Sequence, residues 1–136
     1  MIGPTLALWL LMHRQTAMPT DAFEPPRVAA FAPAPYTEAA LRARIQGTVA
    51  VRVTIDQAGR VTDAQVSGRG LPMGLSDKSV TAARAWRFNR SPVSQRAAIL
   101  EFVFSLSPKG RPPEGFEFEE PYTLQVWHEG WTLDEH

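Results

Sequence analysis

The chain has no cysteine among its 136 residues. This excludes a disulfide framework and any thiolate metal site, and leaves the compartment open. It has no net charge either, with 14 Lys and Arg against 14 Asp and Glu, so no overall field favours nucleic acid or an anionic surface. Long hydrophobic runs are missing too. The longest near the start, Leu6 to Met12 with Ile2 before it, is too short for a bilayer crossing of about 20 helical residues. The first basic residue is Arg14, so the positive leading region of a signal peptide is also lacking. Histidines are few: His13, His128 and His136, with no second histidine at helical spacing to complete a metal site. No serine sits in a nucleophile elbow and no glycine-rich phosphate loop follows a strand. The inventory predicts a protein that is not an enzyme and needs neither metal nor cofactor.

The sequence is rich in proline, and unevenly so. The runs EPPRVAAFAPAP (Glu24 to Pro35) and SPKGRPPEG (Ser107 to Gly115) favour extended backbone, because proline fixes φ and lacks a donor. They predict an N-terminal apolar segment and linker over 1–35, a folded domain over 36–106 and a tail over 107–136. Charge divides the same way. From Arg42 to Arg96 there are ten Lys and Arg against Asp56, Asp63 and Asp77, whereas after Arg111 there are seven Asp and Glu and no Lys or Arg. The basic residues are scattered through helix, turn and strand positions and form no stripe, which argues against a nucleic-acid partner.

Within the domain, local signals agree. Thr37 suits an N-cap before EAALRAR, whose residues lose little on entering a helix. Gly47 releases the backbone, and from Thr48 to Asp56 Val49, Val51, Val53 and Ile55 alternate with Ala50, Arg52 and Thr54, the period of a half-buried strand. DQAG (Asp56 to Gly59) predicts a type I turn, with Gly59 in the left-handed position, leading to a second strand over Arg60 to Ser67. Ser76 is a candidate cap for a helix reaching Trp86, with Val80 and Ala83 on its inner side. In RAAILEFVFSL, Ala98, Leu100, Phe102, Phe104 and Leu106 alternate with Ala97, Ile99, Glu101, Val103 and Ser105, a third strand. Trp86 and Phe88 read as core anchors, and Gly47 and Gly59 as conformational residues; Tyr36 is counted with these structural positions. The predicted fold is α+β: a small three-stranded antiparallel sheet with two helices on one face.

These segments, PYTEAALRARIQGTVAVRVTIDQAGRVTDAQV, LPMGLSDKSVTAARAWRF and the closing strand, resemble in order and character the C-terminal domain of TonB-type energy transducers. The resemblance spans about Pro33 to Leu106. It departs at Thr37, where the family commonly has proline, and at Ser76, where it commonly has aspartate. What it implies is a periplasmic adaptor, anchored in the inner membrane, that binds a peptide of an outer-membrane TonB-dependent transporter by strand addition. Inner-membrane proton-channel proteins are the implied energy source. An alternative implication is a sensor or peptide-interaction module of a larger inner-membrane protein, such as a membrane peptidase. The Pro-rich run before the domain reaches only about 40 Å at about 3.1 Å per residue, too little to join two membranes.

Strand addition needs an accessible edge, so binding is expected at Gln46 and along Arg96, Ala97, Ala98, Ile99, Leu100, Glu101, Phe102, Val103, Phe104 and Ser105, on the reading that the third strand is an edge. The acidic tail contains YTLQVW (Tyr122 to Trp127), six residues of strand-favouring type. It is expected either to fold back antiparallel on that edge as a fourth strand or to regulate access to it.

Overall fold

The computed structural model describes residues 24–106 and 111–130. Its elements in chain order are β1 (Val28–Ala30), α1 (Glu38–Arg42), β2 (Gly47–Ile55), β3 (Val61–Ser67), α2 (Leu75–Ala85), β4 (Arg87–Phe88), β5 (Arg96–Leu106), β6 (Glu114–Glu119) and β7 (Thr123–His128). Five strands form one mixed sheet in the order β3-β2-β5-β7-β6, and β1 pairs with β4 in a separate two-stranded sheet. The apolar run Leu6 to Met12 lies outside the described residues, among which no helix is long and apolar enough to cross a membrane.

The local predictions explain the sheet's centre. Thr37 caps α1 through a hydrogen bond from the Ala40 N–H at 3.1 Å, and its hydroxyl donates to the Met73 carbonyl at 2.6 Å. Val49, Val51, Val53 and Ile55 of β2 are fully buried, and β2 pairs antiparallel with both β3 and β5. At the β2–β3 turn, the Gly59 N–H reaches the Asp56 carbonyl at 3.0 Å, and the Asp56 carboxylate accepts from the Arg60 N–H at 2.8 Å. Gly59 has φ +90°, and a Cβ there would stand 2.0 Å from the Phe88 carbonyl oxygen. The glycine therefore serves both the turn and the close passage of β4.

Both helices cover one face of the sheet. Ala40 of α1 and Leu75, Ala82 and Ala83 of α2 join Val49, Val51, Leu100, Phe102 and Phe104 in a single core. The cap of α2 differs from the sequence expectation. Gly74, at φ +83°, is the N-cap, while Ser76 lies inside the helix and turns back, accepting from the Leu71 N–H and donating to the Leu71 carbonyl, each at 2.8 Å. A serine hydroxyl near a helix start can serve the preceding loop instead of the helix's free N–H groups.

Trp86 is fully buried at the end of α2. Its indole N–H donates to the Ala32 carbonyl at 2.9 Å, and its ring meets Phe102 and Phe118 with centroids 5.7 and 5.9 Å away. It thus fastens to the core a stretch that composition assigned to a free linker. Asn89 holds that stretch as well, pairing with Arg27 through its N–H at 2.9 Å and its side-chain oxygen at 2.8 Å. Residues 24–35 are therefore part of the fold, since proline-rich backbone is already extended and needs little further ordering to lie as a strand.

The tail corrects two expectations. It supplies two strands, not one, and β7 runs parallel to β5, with Glu101 opposite Thr123 and Leu106 opposite His128. The outer strand β6 runs antiparallel to β7. FEFE alternates like any half-buried strand, so β6 and β7 form a hairpin of their own, and its second strand lies beside β5. Trp86→Ala is expected to lower stability by about 3 to 5 kcal/mol, the usual loss for a large aromatic cut from a core. Chemical denaturation followed by far-UV circular dichroism measures it, and an unchanged midpoint would show that Trp86 is not an anchor.

Candidate functional site

Each residue assigned to partner binding has a definite place. Along β5, Arg96, Ala98, Leu100, Phe102 and Phe104 are buried, Ala97, Ile99 and Glu101 are exposed, and Val103 and Ser105 are half-buried. The side chains thus divide between the core and the open face of the sheet. The main chain of β5 pairs with β2 from Arg96 to Phe104, and its other side pairs with β7 from Glu101 to Leu106. The expectation that β5 is the sheet's edge is therefore corrected for Glu101 to Ser105, where the tail's own strand fills that position, whereas Arg96 to Leu100 pair with β2 alone. Gln46 belongs to the same closure, its side-chain oxygen accepting from the Leu106 N–H at 2.8 Å.

Arg96 holds the far end of β5. Its guanidinium donates to the Asn89 side chain at 3.0 Å, the Asn89 carbonyl at 2.6 Å and the Asp56 carbonyl at 3.1 Å. Burial lowers its pKa, and the negative charge of Asp56 opposes that shift. At the other end, the Tyr36 hydroxyl donates to the Ile45 carbonyl and its ring stands edge-on to Phe104 at 5.3 Å. Burial raises the Tyr36 pKa to about 12, against the pull of Arg44. These contacts give Arg96 and Tyr36 structural roles at the two ends of β5.

With β5 flanked by β7 from Glu101 to Leu106, the outermost strands of the sheet among the described residues are β3 and β6. Alternate residues of an edge strand turn their N–H and C=O groups away from the sheet, where another strand can pair with them. The β6 edge has a marked chemical character. Phe116 and Phe118 stand opposite Val126 and Leu124, whereas Glu117 and Glu119 stand opposite Gln125 and Thr123 on the other face. Phe116 is 50% exposed and Phe31 is 38% exposed, with their rings edge-on at 6.1 Å. Beside them a cleft of about 510 Å³ opens between the Pro33–Tyr36 backbone and the β6–β7 hairpin. At its rim His128 accepts from the Gly130 N–H through Nδ1 at 2.9 Å, so its neutral form carries the proton on Nε2, 3.5 Å from the Glu114 carboxylate.

The hairpin that makes this edge is firmly built in. Leu124, Val126 and Trp127 are buried. The Tyr122 hydroxyl donates to the Pro26 carbonyl at 2.6 Å, and the Trp127 indole N–H donates to the Pro112 carbonyl at 3.0 Å. The Arg111 guanidinium lies 4.3 Å from the centroid of the Trp127 ring. Gly115 permits this packing, since a Cβ there would stand 2.7 Å from the Trp127 ring. Sequence reasoning missed β6 as an edge, although the alternation Phe116, Glu117, Phe118, Glu119 was its signal.

Residues 32–112 match the family described as Gram-negative bacterial TonB protein C-terminal. Protein TonB of Xanthomonas campestris pv. campestris, in strains B100 and ATCC 33913, is 40% identical over 67 residues, which are 48% of this chain and 30% of the relative. The match therefore spans about a third of the curated relatives' length. The solution NMR structure of the Pseudomonas aeruginosa TonB C-terminal domain aligns with TM-score 0.48 and 29% identity, over 65% of this chain and 92% of that one.

Two outcomes test this geometry. Arg96→Met keeps the apolar stem but removes three charge-assisted hydrogen bonds, leaving the Asn89 carbonyl without its donor and the Asn89 side-chain oxygen and Asp56 carbonyl with only the N–H groups of Arg27 and Gly59. It should lower stability by about 2 to 3 kcal/mol, and a midpoint of denaturation equal to wild type would refute the role given to Arg96. Asp56 supplies a pH signature. Hydrogen bonds to backbone N–H groups, Arg60 first, depress its pKa below the ordinary carboxylate value. Its ionised form is thus favoured by folding, a contribution present above the unfolded value of about 3.9 and lost as pH falls through the lower folded value. The stability gap between wild type and Asp56→Asn should therefore shrink on acidification below about pH 4; a gap that widens there would contradict the assignment.

Proposed function

Because the chain belongs to the family of Gram-negative bacterial TonB protein C-terminal domains, we propose that it is a non-enzymatic periplasmic adaptor that takes up an extended segment of an outer-membrane TonB-dependent transporter by strand addition. In this reading the protein is tied to the inner membrane and passes on energy supplied there by proton-channel partners. The observation that carries the reading is the mixed sheet with an open outer edge at β6. The place beside β5 from Glu101 to Leu106 is held in cis by β7, so there the partner strand joins beyond it.

The physics suits a reversible mechanical link. Each main-chain hydrogen bond contributes about 1 kcal/mol net, and ordering a partner residue costs about as much, so several bonds give weak docking. A load directed along the strands is shared by all of those bonds. It then passes through the β6–β7 ladder and the parallel β7–β5 ladder into the centre of the sheet.

Titrating the isotopically labelled chain with a ten-residue peptide from the periplasm-facing segment of such a transporter tests the proposal. Amide shifts are expected along a sheet edge, and a peptide N-methylated at alternate positions should not produce them. Shifts confined to α2, or equal binding by the N-methylated peptide, would contradict strand addition.

A further inference from the structure

We infer that the β6 edge selects a partner segment in which basic and apolar residues alternate; this rests on the strand-addition reading and names the chemistry of its partner. In a sheet, side chains of a joining strand fall by turns on the two faces, each beside the edge residues of the same face. On one face those residues are Phe116 and Phe118, with Glu114 at the strand's start 3.5 Å from His128; on the other they are Glu117 and Glu119. A strand that satisfies both carries apolar side chains on the first face and cations on the second.

The apolar face has room for them. Phe116 is half exposed, Phe31 stacks on Phe118 at 5.2 Å, and the cleft beside the Pro33–Tyr36 backbone opens next to Phe116. The acidic face already holds one cation of its own chain: the Arg111 guanidinium lies 3.4 Å from the Glu117 carboxylate. Glu119 and Glu120 have no ion-pair partner among the described residues, so negative charge remains along the edge. A second copy of the chain fits poorly. Pairing β6 with itself would bring Glu117 and Glu119 against like charges, and β3 offers Asp63, a further carboxylate, and the neutral Gln65 on its exposed side.

Two nine-residue peptides with identical apolar positions, one carrying Lys and Arg at the alternate positions and the other Glu, separate the possibilities when titrated against the full chain at low salt. The basic peptide should bind about tenfold more tightly, shift the amides of Glu114 to Glu119, and lose most of that advantage at about 1 M salt. The double variant Glu117→Lys, Glu119→Lys, altered only at exposed positions and checked for an unchanged thermal melt, should reverse the order. Equal affinity of both peptides, with shifts still at β6, would overturn the charge selection and leave strand addition standing. Shifts at β3 alone would overturn the role of β6 and its charge selection and leave strand addition standing; shifts at α2 alone, or none with either peptide, would overturn both.

Discussion

The structure depends on the burial of Trp86 at the point where α2 ends. Its ring meets Phe102 of β5, Phe118 of β6, Phe88 of β4 and Phe31 of the N-terminal segment, and its N–H is satisfied by Ala32. One side chain thus joins the helix layer, the centre of the sheet, the C-terminal hairpin and a proline-rich segment that has few other means of packing. A buried indole N–H without a partner would be unfavourable. The extended backbone at Ala32 is therefore required as much as the ring, and Ala34, buried two residues on, continues the same contact.

That arrangement decides where the sheet can receive a partner. Were the chain to end at β5, this strand would be an edge, as its place in the sequence implies. With the hairpin present, β7 completes the main-chain bonds of β5 from Glu101 to Leu106, and Leu124 and Val126 extend the core beside Phe102 and Phe104. Beside Glu101 to Leu106 the open edge moves outward by two strands and becomes acidic: β5 carries one Arg and one Glu, whereas β6 carries three Glu and no base. Membership of the family is thus compatible with an interaction surface that the shared region, residues 32–112, does not itself contain.

Much of the centre was legible in the sequence, because its determinants are local. The alternation in β2 and β5, the Asp56 to Gly59 turn and the Thr37 cap each act within a few residues, and each is observed. What was not legible depends on contacts distant in the chain. β1 and β4 are three and two residues long and exist because Asn89 and Trp86 hold the N-terminal segment. Ser76 had the chemistry of a cap, yet Leu71 offered its hydroxyl a closer pair of partners. The parallel pairing of β7 with β5 follows from the order in which β6 and β7 fold back, which no period in the sequence encodes. The edge was misplaced from Glu101 to Ser105 for this reason, although the alternation along β5 was read correctly as a strand.

Whether a partner extends the sheet at β6 or displaces the hairpin from β5 is decided most directly by amide hydrogen exchange of the full chain with and without a bound transporter peptide. Extension leaves the β7 amides from Leu124 to Trp127 protected in both states, and adds protection to the outward N–H groups of β6 on binding. Loss of protection along β7 when the peptide binds would contradict the account, since it would mean that the partner takes the place beside β5 and the hairpin is only its stand-in.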